Sequence, residues 1–298
     1  MFLFSMQNNP LVTVICSCFN HADYVLESLQ SVLNQSYKNI QIVVIDDVSS
    51  DNSVKIIQDF ITPHPEIIFI KNSENLGLNV SVSNAMQFVK GDYFIDLAAD
   101  DVLLPNCITT QVNTFKNSKF KNLAIVYGNA ELIDENNNHL EYYFKTNKNL
   151  KSQENLNSGN IYQEIISEKT VICTVAGMYN KLVFDNLSGY DQSLAYEDFD
   201  YWIRASRNHN IEFIDAVLVK KRILKSSMHN SFRDFHDKYG QSTFKILEKA
   251  YHLNRSKSEH KTLKKRVLRE FKTSVKKINF SLIYKNALLY LKLNFKSI

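Results

Sequence analysis

Four near-continuous apolar runs, LVTVICSCF (11 to 19), IQIVVID (40 to 46), EIIFIK (66 to 71) and YFIDLAA (93 to 99), alternate with helical patterns in the first hundred residues. This alternation restricts the possible folds more than any other feature of the chain. Strands that are apolar throughout are buried on both faces, which is the condition of a parallel sheet covered by helices on both sides. The intervening segments suit the covering layers: YVLESLQSVLNQ (24 to 35) with Leu26, Leu29, Val32 and Leu33 inward, SVKIIQDFI (53 to 61) opened by Asp51 or Ser53, and VSVSNAMQFV (80 to 89). The fold class expected is α/β, a doubly wound and mostly parallel sheet.

Beyond Pro105 the pattern loosens. A helix is expected near 105 to 117, a strand over AIVYGNAEL (124 to 132), a strand over TVICTVAGMY (170 to 179), a helix over EDFDYWIRASRN (197 to 208), and short strands at IEFI and VLVKKRI. The Asn-rich stretch from 134 to 160 is too long for a simple connection, so it is read as a binding loop or a small excursion of structure. After about residue 230 the pattern is helical, with Leu263, Val267, Phe271 and Val275 recurring every four residues among lysines. Residues 1–228 are therefore assigned to one catalytic domain and 229–298 to a basic, amphipathic helical extension.

Charge separates the same two regions. Residues 255 to 277 hold ten Lys or Arg against Glu259 and Glu270, a balance of +8, which leaves the rest of the chain near −4 out of a net +4. The tail suits a solvated or oligomerising helical face or an anionic membrane surface, and no recognition motif accompanies it that would suit nucleic acid. Cys16, Cys18, Cys107 and Cys173 show no CxxC spacing and read as reduced core thiols of a cytosolic protein. No segment reaches the roughly 18 uncharged apolar residues of a spanning helix, so the expected location is the cytoplasm or the inner face of its membrane.

In a doubly wound sheet ligands bind beyond the carboxyl ends of the strands, and acids recur there. IVVIDDVSSD ends a strand on Asp46 and Asp47, and FIDLAADD ends one on Asp100 and Asp101. Adjacent like charges are unfavourable unless a cation or donor compensates them. Neither GxGxxG nor GxxxxGK[ST] is present, so phosphate must be neutralised by other means. Oxygen-only ligands suit Mg²⁺ or Mn²⁺ shared between a carboxylate and a diphosphate.

SCFNHADYVLESLQSVLNQSYKNIQIVVIDDVSSDNS, followed by ENLGLNVSVSNAM, GDYFIDLAADDVLLPN and GYDQSLAYEDFDYWIRA, resembles the family 2 glycosyltransferases of the GT-A fold over about residues 10 to 225. The resemblance implies a nucleotide-sugar donor, with UDP the expected nucleotide, and inverting transfer to a glycan or lipid-linked saccharide in bacterial surface polysaccharide or lipopolysaccharide synthesis. It implies that Ser17, Phe19 and Asp47 line the base pocket, that Ala99 and Asp100 contact the nucleotide, that Asp100 coordinates the divalent metal, and that Asp101 supports it. Asp198 matches the catalytic base, with Glu197 beside it facing the acceptor; the nearness of Trp202 to both allows it an acceptor-stacking role. KRILKSSMHNS resembles the segment that closes over the diphosphate, which implicates Arg222 and His229.

Two positions depart from the family pattern. Ala98 stands where an acid often contacts the ribose, with Asp96 too far from the edge to replace it, and Ser83 stands where a basic residue is common. Both departures leave room for a catalytically silent nucleotide-sugar-binding protein. A receiver-like signalling domain, suggested by IVVIDD alone, fails on length, on the second acidic pair and on the missing lysine-bearing late strand. On plain packing grounds Trp202 reads as core, and Asp198 as a first-turn acid favoured by the helix dipole. His21 and the other histidines, which lack ligand spacing, read as surface residues, and Tyr142, Tyr143 and Phe144 as a possible acceptor platform.

Overall fold

The computed structural model describes residues 9–224 and 236–295. Nine strands form a single sheet: β1 (Val12–Cys18), β2 (Ile40–Asp46), β3 (Ile68–Lys71), β4 (Tyr93–Ala98), β5 (Val102–Leu103), β6 (Leu123–Ile133), β7 (His139–Tyr142), β8 (Gly177–Asn180) and β9 (Asn210–Arg222). The order is β3-β2-β1-β4-β8-β6-β9-β5, with β7 on β6. The four strands formed by the first hundred residues are parallel, as their uniform apolarity requires. The second half is mixed: β8 is antiparallel to β4 and β6, β6 is parallel to β9, and β5 is antiparallel to β9. The sheet as a whole is thus mixed rather than mostly parallel.

Helices α1 (Val25–Leu33), α2 (Ser53–Ile61), α3 (Leu78–Ala85) and α4 (Cys107–Asn117) cover the first half. β1 is buried at every position and forms the centre of the core. The buried face of α1 is not the one expected. Val25, Leu29 and Val32 are inward, but Ser28 and Ser31 join them while Leu26 and Leu33 face solvent. Ser28 Oγ donates to the carbonyl of Ala98, and Ser31 Oγ accepts from the amide of Leu103. The helix is rotated to satisfy the backbone that leaves β4, because an unpaired buried amide or carbonyl is worse than an exposed leucine.

Other expectations change in the second half. The run 170 to 179 yields only the four-residue β8, because residues 174–176 close into a 3₁₀ turn. The two short strands expected near 211 to 223 are one continuous β9, irregular where it follows β6. The Asn-rich stretch is an excursion: β7 forms a hairpin with β6, and Thr146 bridges Ser152. Phe144 is buried core rather than part of an acceptor platform. All four cysteines are buried and unpaired.

The remaining helices are α5 (Tyr162–Ser167), α6 (Lys181–Asn186), α7 (Asp198–Ser206), α8 (His236–Leu253), α9 (Lys257–Lys276) and α10 (Phe280–Phe295). α8 and α9 pack on the sheet-bearing part through specific polar contacts, and α10 packs on those two helices. Lys249 pairs with Asp191 at 2.6 Å and Asp200 at 2.7 Å, Arg207 pairs with Glu259 at 2.8 Å, and Tyr162 Oη donates to Asn254 at 2.9 Å. A capping box of Ser256 and Glu259 starts α9. The four-residue stripe on α9 begins buried at Leu263 and Val267 and ends exposed at Val275, since a spacing of four drifts around a helix with 3.6 residues per turn. Among the described residues, no helix is long and apolar enough to cross a membrane.

Candidate active site

The carboxyl ends of β1, β2 and β4 lie level, with Cys18 opposite Asp46 and Ser17 opposite Ala98. From β1 the chain winds outward through β2 and β3 and then returns to the other side of β1 as β4, which makes the β1/β4 edge a topological switch point. Phe19 projects there, 46% exposed, immediately beyond β1. Ser17 is buried, its hydroxyl 3.5 Å from the carbonyl of Leu97. Ala99 is fully buried, and its amide donates to the carbonyl of Ser17. The expected nucleotide contact by Ala99 is therefore corrected to packing beneath the edge.

The two acids after β2 organise the loops around this edge. Asp46 accepts from the amide and hydroxyl of Ser49. Asp47 accepts from Asn72 Nδ2 and from the amides of Leu76 and Gly77, all within 2.9 Å. Burial works to raise the Asp47 carboxyl, but donors from Asn72, Leu76, Ser81 and Gly77 hold it below its ordinary range. Asp47 thereby ties the 72–77 loop to the edge where a base would lie. Val48, the next residue, has φ +65°, a conformation that disfavours a β-branched side chain. Val48→Gly is expected to stabilise the fold by about 1 kcal/mol, measured by urea unfolding.

Asp100 and Asp101 follow β4 in a tight turn closed by the Asp101 amide on the carbonyl of Ala98 at 3.0 Å. Asp101 accepts from the amide of Arg222 at 2.8 Å, while burial and the adjacent Asp100 push its carboxyl well above the ordinary range. The Arg222 side chain is fully enclosed: Nε donates to the carbonyl of Asp100 at 3.0 Å, one terminal nitrogen to the carbonyl of Asp134 and the other to Glu27, and the guanidinium lies 4.5 Å above the Tyr24 ring. Arg222 was expected over a diphosphate; with every nitrogen already committed, it instead sets the Asp100–Asp101 turn. Arg222→Met is expected to destabilise the fold by about 3 kcal/mol, since two buried carbonyls lose their donor, read from the midpoint of urea unfolding.

The Asp100 carboxylate takes no hydrogen bond from the described residues. Among the described residues the nearest basic nitrogen is His21 Nδ1 at 3.9 Å, and that nitrogen is buried without a hydrogen bond. His21 is thus a site residue rather than the surface residue expected. Ordinary spacing rules miss it because its proximity to Asp100 arises across the β1/β4 edge. No group of three or more His, Cys, Asp or Glu able to hold a metal occurs among the described residues. A carboxylate with free oxygen lone pairs can still share a hard cation with a ligand that supplies the other oxygens.

Asp198 is the first residue of α7. Its Oδ1 accepts from the amide of Phe199 at 2.6 Å and its Oδ2 from Thr174 Oγ1 at 3.1 Å. Burial raises its pKa; the Phe199 and Thr174 donors and the Lys221 ammonium counter that in part, and the net shift is upward. Glu197 is pushed up to about 8 by burial, Asp198 and Asp96. Asp96, set aside in the sequence as too far upstream, is pushed up to about 7 by burial and by Asp198; it lies within electrostatic reach of Asp198 from β4. Asp200 is structural, bridged to Arg204 and Lys249.

Lys221 joins the two acidic groups. From β9 it acts electrostatically on both Asp101 and Asp198, and its ammonium lies 5.9 Å from the Tyr143 ring centre. Sequence reasoning passed over this lysine because β9 brings it in from more than a hundred residues away. Trp202 is buried, as its helical face suggested, yet it also lines a cavity with Asp198 and Phe199. His229 lies outside the described residues.

The model of Glycosyl transferase family 2 matches residues 13–187. The chain is a family 2 glycosyltransferase. An uncharacterized glycosyltransferase of Rickettsia typhi is 29% identical over 224 residues, 75% of this chain and 67% of that one. The chondroitin synthase of Escherichia coli is 25% identical over 214 residues, 72% of this chain but 29% of that one. Among solved structures, S. aureus TarS 1-349 in complex with UDP-GlcNAc superposes with a TM-score of 0.68 at 14% identity, over 88% of this glycosyltransferase and 73% of that chain. Mannosyltransferase PcManGT from Pyrobaculum calidifontis, in complex with GDP-Man and Mn²⁺, superposes with a TM-score of 0.63 at 15% identity, over 98% and 77% respectively. The fold is GT-A.

Proposed function

We propose that this glycosyltransferase moves a sugar, with inversion, from a nucleoside diphosphate donor to a saccharide acceptor, and that it serves surface polysaccharide synthesis. The observation that carries the reading is the pairing of two carboxylate groups across one edge. Asp100 follows β4 and its carboxylate takes no hydrogen bond among the described residues, Asp198 opens α7 with a raised pKa, and Lys221 lies within electrostatic reach of Asp101 and Asp198. Solved neighbours of the same fold are described with UDP-GlcNAc and with GDP-Man and Mn²⁺, which supports a nucleotide-sugar donor of either kind.

In this reading Phe19, Ser17 and the loop held by Asp47 receive the nucleotide at the switch point. Asp100 would hold Mn²⁺ or Mg²⁺, a cation that neutralises charge on the departing diphosphate when bound. Asp198 takes the proton from the acceptor hydroxyl as that oxygen attacks the anomeric carbon; a raised pKa makes its ionised form a stronger base. Asp101 and Arg222 hold the turn that presents Asp100, and Lys221 adds positive charge between the two groups. A thermal-shift screen of UDP-, GDP- and dTDP-sugars with and without Mn²⁺ tests the reading. One donor should stabilise the protein only with metal, by an amount that grows with its concentration; no stabilisation by any of them would remove it.

The C-terminal helices are read as a contact with an anionic membrane surface. α10 turns Phe280 (76% exposed), Tyr284 (67%), Leu291 (51%) and Phe295 (82%) to solvent along one stripe, with Leu288 between them. Leu282, Asn286, Leu289 and Leu293 are buried on the opposite stripe. Lys272, Lys276, Lys277 and Lys292 are exposed on α9, on α10 and in the turn between them. Aromatic residues flanked by lysines suit the headgroup region of an anionic leaflet. The protein is expected to co-sediment with phosphatidylglycerol vesicles and not with phosphatidylcholine vesicles. Phe280→Ser combined with Phe295→Ser is expected to weaken that binding at least tenfold, each lost phenyl group accounting for about 1.5 kcal/mol or more.

A further inference from the structure

The three residues that follow Phe19 are fastened to the loop after β2. The amides of Asn20, His21 and Ala22 donate to Ser49 Oγ at 2.9 Å, Ser53 Oγ at 3.0 Å and Asp51 Oδ2 at 2.9 Å. The carbonyl of His21 accepts from the amides of Tyr24 and Val25, where α1 begins. The backbone on both sides of the His21 ring is therefore held, and the ring meets Tyr24 edge-on with centres 6.5 Å apart. Its Nδ1 is nevertheless buried without a hydrogen bond, 3.9 Å from Oδ1 of Asp100. A buried polar atom in that condition is unfavourable unless something satisfies it. The spacing narrows what can. A direct charge-assisted hydrogen bond would draw the two atoms to about 2.8 Å, and a water with tetrahedral angles and bonds of about 2.8 Å would hold them about 4.6 Å apart. A divalent ion with bonds of about 2.1 Å spans any separation up to about 4.2 Å, and 3.9 Å lies within that limit.

We infer that His21 Nδ1 and Asp100 Oδ1 ligate one divalent cation together, and that the nitrogen ligand makes the site selective for Mn²⁺ over Mg²⁺. The inference rests on the donor reading above and adds to it a second protein ligand and a metal preference. In the tautomer with its proton on Nε2, the imidazole offers a lone pair at Nδ1. Mg²⁺ favours oxygen ligands, whereas affinity for nitrogen rises along the transition series that begins with Mn²⁺. A ligand set of one imidazole and one carboxylate therefore separates two ions of equal charge, which a carboxylate alone would scarcely do. The fastened backbone of residues 20 to 22 spares the ring the ordering that a ligand on a loose loop would require. The competing reading is an imidazolium attracted to Asp100. That cation would repel a metal, so its removal would strengthen the binding of both ions.

Electron paramagnetic resonance of bound Mn²⁺ tests this without an activity assay. The full chain, grown with ¹⁵N-labelled histidine, is mixed with Mn²⁺ and unlabelled UDP, and separately with GDP. Pulsed spectra of the bound ion are expected to show coupling to a directly ligated ¹⁵N nucleus, and the same spectra of His21→Gln to lack it. The wild-type spectrum alone decides ligation, so the answer does not depend on how well the variant folds. Loss of the sharp signal of aqueous Mn²⁺ gives its affinity, and displacement by Mg²⁺ gives the affinity of the competitor. His21→Gln is expected to weaken Mn²⁺ binding about tenfold or more and Mg²⁺ binding by less than about threefold. Bound Mn²⁺ without histidine coupling, coupling that survives in His21→Gln, or equal weakening of both ions would overturn the inference. Tighter binding of both ions in the variant would overturn it in favour of the imidazolium. Wild type that binds no Mn²⁺ with either nucleotide would remove the donor reading as well, whereas Mn²⁺ bound without the nitrogen confines the failure to His21.

Discussion

Asp198→Asn is expected to lower the rate of sugar transfer about 10³-fold, within the range general base catalysis supplies, while Mn²⁺-dependent stabilisation by the donor stays within a factor of two. The amide keeps the size of the side chain, its oxygen can still accept from the Phe199 amide and its NH₂ can donate to Thr174 Oγ1 in place of the bond Asp198 accepts there, but it cannot take a proton. The pH dependence follows from the same group. The base must be ionised, and its pKa lies above the ordinary aspartate range, so activity falls on acidification at a higher pH than an ordinary aspartate would impose. The Lys221 ammonium favours the ionised form. Removing it in Lys221→Met raises the pKa further, and the acidic limb of the kcat profile is expected to move to higher pH. A limb that stays in place, or moves down, would show that Lys221 does not act on the base.

Asp100→Ala is expected to abolish metal-dependent stabilisation by the donor and to lower transfer by 10³-fold or more, since the charge neutralisation a metal supplies to a leaving diphosphate amounts to several kcal/mol. Thermal shift with donor and Mn²⁺, followed by a transfer assay, reads both effects. Ala98→Asp makes the informative contrast. Ala98 stands opposite Ser17 on β1, and its carbonyl accepts from Ser28 Oγ. A carboxylate introduced there adds a group beside the base pocket without disturbing the Asp100–Asp101 turn, so donor affinity should change less than tenfold. Full metal-dependent activity in Asp100→Ala would mean that the acids at the end of β4 have a different task.

Much of this site was legible in the chain because strand ends and acids are both local features. IVVIDD and FIDLAADD place a carboxylate pair one or two residues beyond an apolar run, and in a parallel sheet such positions gather at a common edge. YEDFDYW announced a helix start with acids in its first turn, which is where α7 begins. What the residues alone left open was the partner of each acid. Arg222 looked like a diphosphate clamp, yet burial commits its guanidinium to the carbonyls of Asp100 and Asp134 and to Glu27. His21 looked like a surface residue, yet it stands 3.9 Å from Asp100. Asp96 looked too remote, yet it lies within electrostatic reach of Asp198 from β4.

The sequence by itself determined the parallel half of the sheet, the strand edge at which the acids gather, and the membership of the chain in its family. Hydrophobic periodicity and residue type are written locally, and burial of a strand on two faces leaves few alternatives. Only the tertiary structure decided which acids are held and which take no hydrogen bond among the described residues, that Lys221 lies within electrostatic reach of both Asp101 and Asp198, and that α7 and the C-terminal helices line one cavity. Those outcomes depend on side chains far apart in the chain meeting at one edge, and on how each buried polar atom finds its partner. A donor hydrogen bond or a nearby charge changes a carboxylate more than its identity does, and neither is visible until the sheet has brought β4, β9 and α7 together.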